Sequence, residues 1–273
     1  MILVDGQAAT SVDVADRGLA YGDGLFETIA WHHGAALALD AHLARLGADA
    51  RRLGLEAPPR ELLEAEIRQL GRGRASGVVK LLLTRGSGGR GYRPARPAKP
   101  RRIVSMHPWP QLPAADAALE AWLCRHPVSA NPAIAGIKHL NRLDQVLASA
   151  EWPDEACFEG LMCDVDGNLV EGTRSNLFVR RADRLLTPGL ERAGVAGIVR
   201  AAVLAAAPAL GLRCEIRTLA PAELAAADEL FVTNSIIGIR SLARVRGHAD
   251  WVFTARDCAE QLAAHLRGQG VVA

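Results

Sequence analysis

Lys138 is the only lysine in the second half of a 273-residue chain that otherwise writes its positive charge as arginine: twenty-nine arginines stand against Lys80, Lys99 and Lys138. For charge alone an arginine would serve. What lysine adds is an amine that can lose its proton when partly desolvated and then attack a carbonyl, forming a Schiff base. The surrounding residues, "AGIKHL", are apolar rather than charged. The plainer alternative is an ion pair with Asp144.

Three further stretches hold groups that such a lysine could work with. "GNLVEGTRSNLFV" (167–179) ends an apolar run on Glu171, followed by Gly172, Thr173 and Asn176. A carboxylate at a buried turn is costly unless it meets a positive charge. The protonated ring nitrogen of a pyridoxal cofactor is one such charge, and a turn glutamate accepting backbone N–H groups is the competing reading. "TPGLERAGVAGIVRAAVL" (187–204) runs a glycine-punctuated loop into a helix, so the amides of Gly197 and Ile198 offer an anion site strengthened by the helix dipole. "FVTNSIIGIR" (231–240) ends a strand on Asn234 and Ser235, a second polar turn.

The elements that must position these groups are legible from period and punctuation. "MILVDGQ" reads as a strand running into an Asp-Gly turn, and "LFETIAWHHGAALAL" as a hairpin about His-Gly. "DAHLARLGADARRLGL" is a helix with Asp40 as N-cap and Leu43, Leu46, Ala50 and Leu53 on one face. "PPRELLEAEIRQLGRG" is a second helix, opened by proline and closed by glycine. "SGVVKLLLTRG" and "PRRIVSMHPWP" are strands. The proline-rich 107–118 reads as a linker between an N-terminal unit, 1–106, and a C-terminal one, 119–273. Past it come a strand ("LEAWLCRHPV"), a helix ("LNRLDQVLASAEW"), a hairpin ("EGLMCDVDGNLVEG"), two strands ("SNLFVRRADRLLTP") and a helix ("GIVRAAVLAAAPALG"). "LRCEIRTLAPAELAAADELFVTNS" then reads strand, short helix, strand.

Composition narrows the function classes. With 49% hydrophobic and 23% charged residues the chain reads as globular, and no apolar run approaches the ~20 residues that span a bilayer. The N-terminal stretch lacks the pattern of a signal peptide. Five scattered cysteines without a C-x-x-C pair argue against a disulfide framework or a structural metal site and suit a reducing, cytoplasmic setting. Residues 67–115 hold eleven Lys or Arg and no acid. Three readings stay open for that stretch: a nucleic-acid surface, which the paucity of aromatics disfavours, a solvated basic face, or a pocket for a small polyanion. "RGSGGRGY" within it lacks the Lys-Ser/Thr ending of a P-loop.

Taken in order, "DRGLAYGDGLFET", "AHLARL", "LLLTRGSGGRGY", "AGIKHLNRLDQVLA", "EGTRSNLF" and "AGVAGIVR" resemble the class-IV aminotransferases, the fold-type IV pyridoxal-phosphate family, over essentially the whole chain. The resemblance implies an α/β (α+β) fold with a smaller N-terminal α/β domain and a larger C-terminal pseudo-barrel domain. It implies pyridoxal 5'-phosphate as cofactor, held covalently by Lys138, which also acts as acid and base. Glu171 would hold the pyridine nitrogen. Arg45, Gly197, Ile198, Asn234 and Ser235 would cradle the phosphate, and Thr28 would supply a hydroxyl beside the lysine. "TRGSGGRGY" with "IKHLNRLDQVL" resembles the branch that eliminates pyruvate from 4-amino-4-deoxychorismate, with Arg85 and Arg90 on the substrate's carboxylates. "TNSIIGIRSL" departs from the family in lacking a proline near its end. A D-amino-acid or branched-chain aminotransferase is the nearest alternative, and a homodimer the implied assembly.

Overall fold

Alternating strands in the first third of the chain build an antiparallel sheet in the computed structural model, which describes residues 1–154 and 156–273. The strands and helices are β1 (Ile2–Val4), β2 (Gln7–Ala8), α1 (Arg17–Tyr21), β3 (Gly24–His32), β4 (Ala35–Ala36), α2 (Leu39–Arg52), α3 (Arg60–Gly71), β5 (Ser76–Thr84) and β6 (Arg101–His107). The sheet order is β2-β1-β6-β5-β3-β4, every neighbouring pair antiparallel. Strand period 2 sorts the residues by face. Leu25, Ile29, Leu81, Leu83 and Val104 are buried, with α2 packed on β3 and α3 on β6. Phe26, Thr28 and Lys80, on the other face, are only half-buried. The helix expected to be capped by Asp40 instead begins at Leu39, after Ala38 in the left-handed region at φ 48°. Asp40 therefore lies within the first turn, where its charge still suits the helix dipole, and it pairs with Arg60.

The second unit comprises β7 (Leu119–Leu123), α4 (Leu143–Ser149), β8 (Cys157–Cys163), β9 (Leu169–Gly172), β10 (Asn176–Arg181), β11 (Arg184–Thr187), α5 (Ile198–Ala206), β12 (Arg213–Ile216), β13 (Glu229–Asn234), β14 (Gly238–Arg246), β15 (Trp251–Val252) and α6 (Asp257–Gly268). The short helix expected between β12 and β13 is a 3-10 turn, Pro221–Ala226. The sheet runs β12-β11-β10-β13-β14-β7-β8-β9, with β15 on β14. Leu169 of the last strand bridges Leu219, just past the first, so the sheet curls towards closure as an incomplete barrel. Leu177 and Val179 of β10 join Leu230 and Val232 in the inner core. Phe178, alternating with them, stacks on Phe231 at 5.1 Å among Val203, Leu262 and Leu266 of α5 and α6.

The units comprise Met1–Gln111, Ile137–Asn141 and Ala273 on one side and Leu112–Gly136 with Arg142–Val272 on the other. The break falls inside the proline-rich 107–118. The assignment of all of 119–273 to the C-terminal unit needs correcting, however, because the segment carrying Lys138 belongs to the first unit. Backbone pairing is the reason: Phe26 N–H donates to the Lys138 carbonyl and Leu140 N–H to the Gly24 carbonyl, each at 3.0 Å.

Candidate active site

The stretch "GIKHL" is held at its backbone. Gly136, at φ +79°, takes a conformation that side chains rarely adopt, and its N–H and C=O bond Gly194 and Ala196 in a parallel bridge with Val195. Two residues on, Lys138 N–H donates to Asp49 Oδ2 at 3.0 Å. With its carbonyl also taken by Phe26, the lysine is pinned on both sides, and its Nζ lies 4.2 Å from the centre of the Phe26 ring. Burial pushes the Asp49 carboxyl above its ordinary range, against the pull of the Lys138 N–H and of Arg45. Asp144, the alternative ion-pair partner for Lys138, accepts from Ser129 N–H at 2.8 Å and lies 3.3 Å from His126. Thr28 faces Lys80 across β3 and β5.

Arg45 projects from α2 onto Glu27 of β3. Its Nε donates to Glu27 Oε1 at 2.8 Å and its Nη2 to Oε2 at 2.5 Å, while His42 Nδ1 lies 2.7 Å from Oε2. Burial pushes the Glu27 carboxyl up, yet the hydrogen bonds from His42 and Arg45 outweigh it and hold the group below its ordinary range. Glu27 thus orients the guanidinium expected to meet a phosphate. Glu27→Gln will remove the buried negative charge that Arg45 and His42 share and cost about 3–5 kcal/mol, read as a lower denaturation midpoint. The sign with pH follows: a depressed carboxylate pKa stabilises above the unfolded value, and that stabilisation is lost as pH falls through the folded one. The midpoint of the wild type will therefore drop on acidification more than that of Glu27→Gln.

The glycine-rich loop separates the two arginines that the sequence paired. Arg85 is drawn into the fold: its Nε donates to Asp23 Oδ2 at 2.8 Å, and Nη1 and Nη2 donate to the carbonyls of Gly54 and Leu53 at 3.0 and 2.9 Å. This corrects its expected place on a substrate carboxylate, because the planar fork is already engaged. Buried Arg17 shares Asp23 and donates to the carbonyls of Gly91 and Tyr92, tying down the far end of the loop. Arg90 is exposed between these anchors. Arg85→Ala will cost about 3 kcal/mol, the loss of a charge-assisted bond and two carbonyl contacts. Arg90→Ala will leave stability within about 0.5 kcal/mol. Thermal melts of the two variants separate these outcomes.

Elsewhere in the basic stretch, Arg68 pairs with Glu64, Arg101 with Asp5 and Asp16, and Arg102 with Glu66. Acids from outside the stretch neutralise these arginines, Glu64 from one turn earlier on the same helix and the others from elsewhere in the fold, which weakens the reading of 67–115 as one nucleic-acid surface.

In the second unit, Glu171 ends β9 and is 4% exposed. Its Oε2 accepts the Val195 N–H at 2.8 Å. Asn176 Nδ2 donates to the Val195 carbonyl, and a Cβ on Gly197 would stand 2.0 Å from Asn176 Oδ1. Only glycine fits that approach. Gly197 precedes α5 without a side-chain cap, so the amide end of the helix, with Ile198 first, is available to an anion. Asn234 needs correction: its Oδ1 accepts the N–H groups of Ile236 and Ile237, and its Nδ2 donates to Arg174. It closes the turn, which leaves Ser235 and the backbone as candidate ligands there. Thr233 Oγ1 beside it is buried without a hydrogen-bond partner among the described residues. An uncapped helix start, an orphaned hydroxyl and a buried carboxylate fit the phosphate and the ring nitrogen of a pyridoxal cofactor. Sequence reasoning missed Phe26, Glu27 and Asp49. Glu27 was detectable, as an acid in an otherwise apolar strand.

Residues 24–245 match the family model of amino-transferase class IV. An aminodeoxychorismate lyase of Vibrio harveyi is 31% identical over 248 residues, covering 90% of this chain and 91% of its own. A putative branched-chain-amino-acid aminotransferase of Methanocaldococcus jannaschii is 32% identical over 242 residues, covering 86% and 83%. The crystal structure of 4-amino-4-deoxychorismate lyase from Pseudomonas aeruginosa superposes with a TM-score of 0.92 at 42% identity over 98% of both chains.

Proposed function

The chain belongs to the class-IV aminotransferases, and from that premise we propose that it is a pyridoxal 5'-phosphate-dependent lyase converting 4-amino-4-deoxychorismate to 4-aminobenzoate and pyruvate. The observation that carries the reading is the likeness to the Pseudomonas lyase, which runs the length of both chains at an identity well above that of the archaeal aminotransferase.

Lys138 would hold the cofactor through its amine and, once that amine is released, would take the proton from the amine-bearing ring carbon of the substrate. The bound cofactor supplies the electron sink that makes this C–H bond breakable. The C–O bond on the neighbouring carbon breaks, the ring becomes aromatic, and the departing enolate takes up the proton that Lys138 removed to become pyruvate. Glu171 would hold a negative charge for the pyridine nitrogen, the α5 amides of Gly197 and Ile198 with Ser235 would receive the phosphate, Arg45 would supply a cation for it, and Thr28 would present a hydroxyl from β3. Arg90 remains as the loop arginine for a substrate carboxylate. We read the enzyme as a cytoplasmic homodimer. Its five cysteines are free, and no helix among the described residues is long and apolar enough to cross a membrane.

An elimination returns the cofactor to its starting form each cycle, whereas a transamination stalls after one turnover unless a 2-oxo acid accepts the amino group. Given 4-amino-4-deoxychorismate and no oxo acid, the protein will release 4-aminobenzoate and pyruvate in equal amounts over many turnovers. Arg90→Ala will weaken use of this dicarboxylate by about 1.5–3 kcal/mol while retaining the cofactor. No 4-aminobenzoate, with rapid amino transfer from D-alanine or a branched-chain amino acid to 2-oxoglutarate, would establish the aminotransferase instead.

A further inference from the structure

Two of the three lysines in the chain share one aromatic ring. Lys138 Nζ lies 4.2 Å and Lys80 Nζ 4.9 Å from the centre of Phe26, so the two amines cannot be farther apart than the sum of those distances. The sheet register explains the meeting. Lys80 on β5 stands opposite Thr28 on β3 and Ser105 on β6, and period 2 puts Phe26 on the same face as Thr28. Lys80 is half-buried, and among the described residues no acid pairs with it. A partly desolvated ammonium without a counter-ion, beside a second amine, is a site prepared for an anion.

We propose that Lys80 is the ion-pair partner of the enolpyruvyl carboxylate of the substrate, and so a specificity residue for enolpyruvyl ethers. This rests on the lyase reading above. The bond to be broken lies on the ring carbon next to the amine-bearing carbon on which Lys138 works. A cation beside Lys138 therefore meets the enolpyruvyl side of the substrate, whereas the ring carboxylate sits at the opposite, para end. Phe26 holds the Lys80 cation against its face beside the Lys138 amine, and the enolate of pyruvate departs with its carboxylate still neutralised.

The test compares two ligands of the holoenzyme by titration calorimetry: chorismate, which carries both carboxylates, and 4-aminobenzoate, which carries only the ring carboxylate. Lys80→Gln will weaken chorismate about 10- to 100-fold, the worth of one charge-assisted contact, and change 4-aminobenzoate less than about twofold. The KM for 4-amino-4-deoxychorismate will rise with the chorismate constant. Lys80→Arg, which keeps the charge, will restore most of the chorismate affinity and serves if the glutamine variant folds poorly. Unchanged chorismate binding and KM, or an equal loss for both ligands, would overturn the assignment while leaving the lyase reading intact. A wild-type protein that releases no pyruvate from 4-amino-4-deoxychorismate would overturn that reading, and this proposal with it.

Discussion

Lys138→Ala will lose at least about 10⁴-fold in turnover, since both the covalent hold on the cofactor and the acid/base amine go with it, yet it will melt within about 4 °C of the wild type. The second half of that expectation comes from the backbone. The stretch is tied by the Lys138 N–H to Asp49 and by the Lys138 carbonyl to Phe26, and alanine keeps both bonds. Borohydride added to the wild-type holoenzyme will fix the cofactor to a peptide containing Lys138 and bleach its absorbance, and mass spectrometry will find no such adduct in the variant. Lys80 is the informative control because it shares the Phe26 ring. An adduct on Lys80 or Lys99 would remove Lys138 from its role.

Glu171→Gln will keep the cofactor bound but lower turnover by about 10³-fold or more, each tenfold being about 1.4 kcal/mol of barrier. The substitution is nearly isosteric, and the glutamine amide oxygen can still accept the Val195 N–H that Glu171 now receives at 2.8 Å, so the turn into "GTRSN" should stand. What is lost is the negative charge that would keep the pyridine nitrogen protonated, and with it much of the electron sink. A spectral shift of the bound cofactor will accompany the fall in rate. Arg142 supplies the competing account. Burial pushes its guanidinium pKa down, and the charges of Glu171 and Asp144 push it back up. If Glu171 serves only to balance Arg142, the variant will lose stability and retain near-normal turnover.

The residue pattern by itself determined most of the elements and the chemistry. Short apolar runs bounded by turn residues marked β5, β6, β8 and β10, and period 3.6 or proline and glycine at the ends marked the helices that became α2, α3 and α5, because runs, periods and punctuation are all local. The scarcity of lysine singled out Lys138, and the ordered motifs identified the family. What tertiary structure alone decided is non-local. Three parallel pairings, β7 with β8, β7 with β14 and β11 with β12, join strands whose partners no local period can name. α6, amphipathic enough to have been read, went unassigned, and its place against β14 is again a long-range contact. The same distinction governs the arginines. Arg85 and Arg90 lie in one glycine-rich loop and look alike in sequence, but Asp23 and two carbonyls from the end of α2 capture the first and leave the second exposed. Lys138 joins the first unit, although its sequence neighbours belong to the second, because the start of β3 offers a free N–H and carbonyl there, and an unpaired backbone is the more costly alternative.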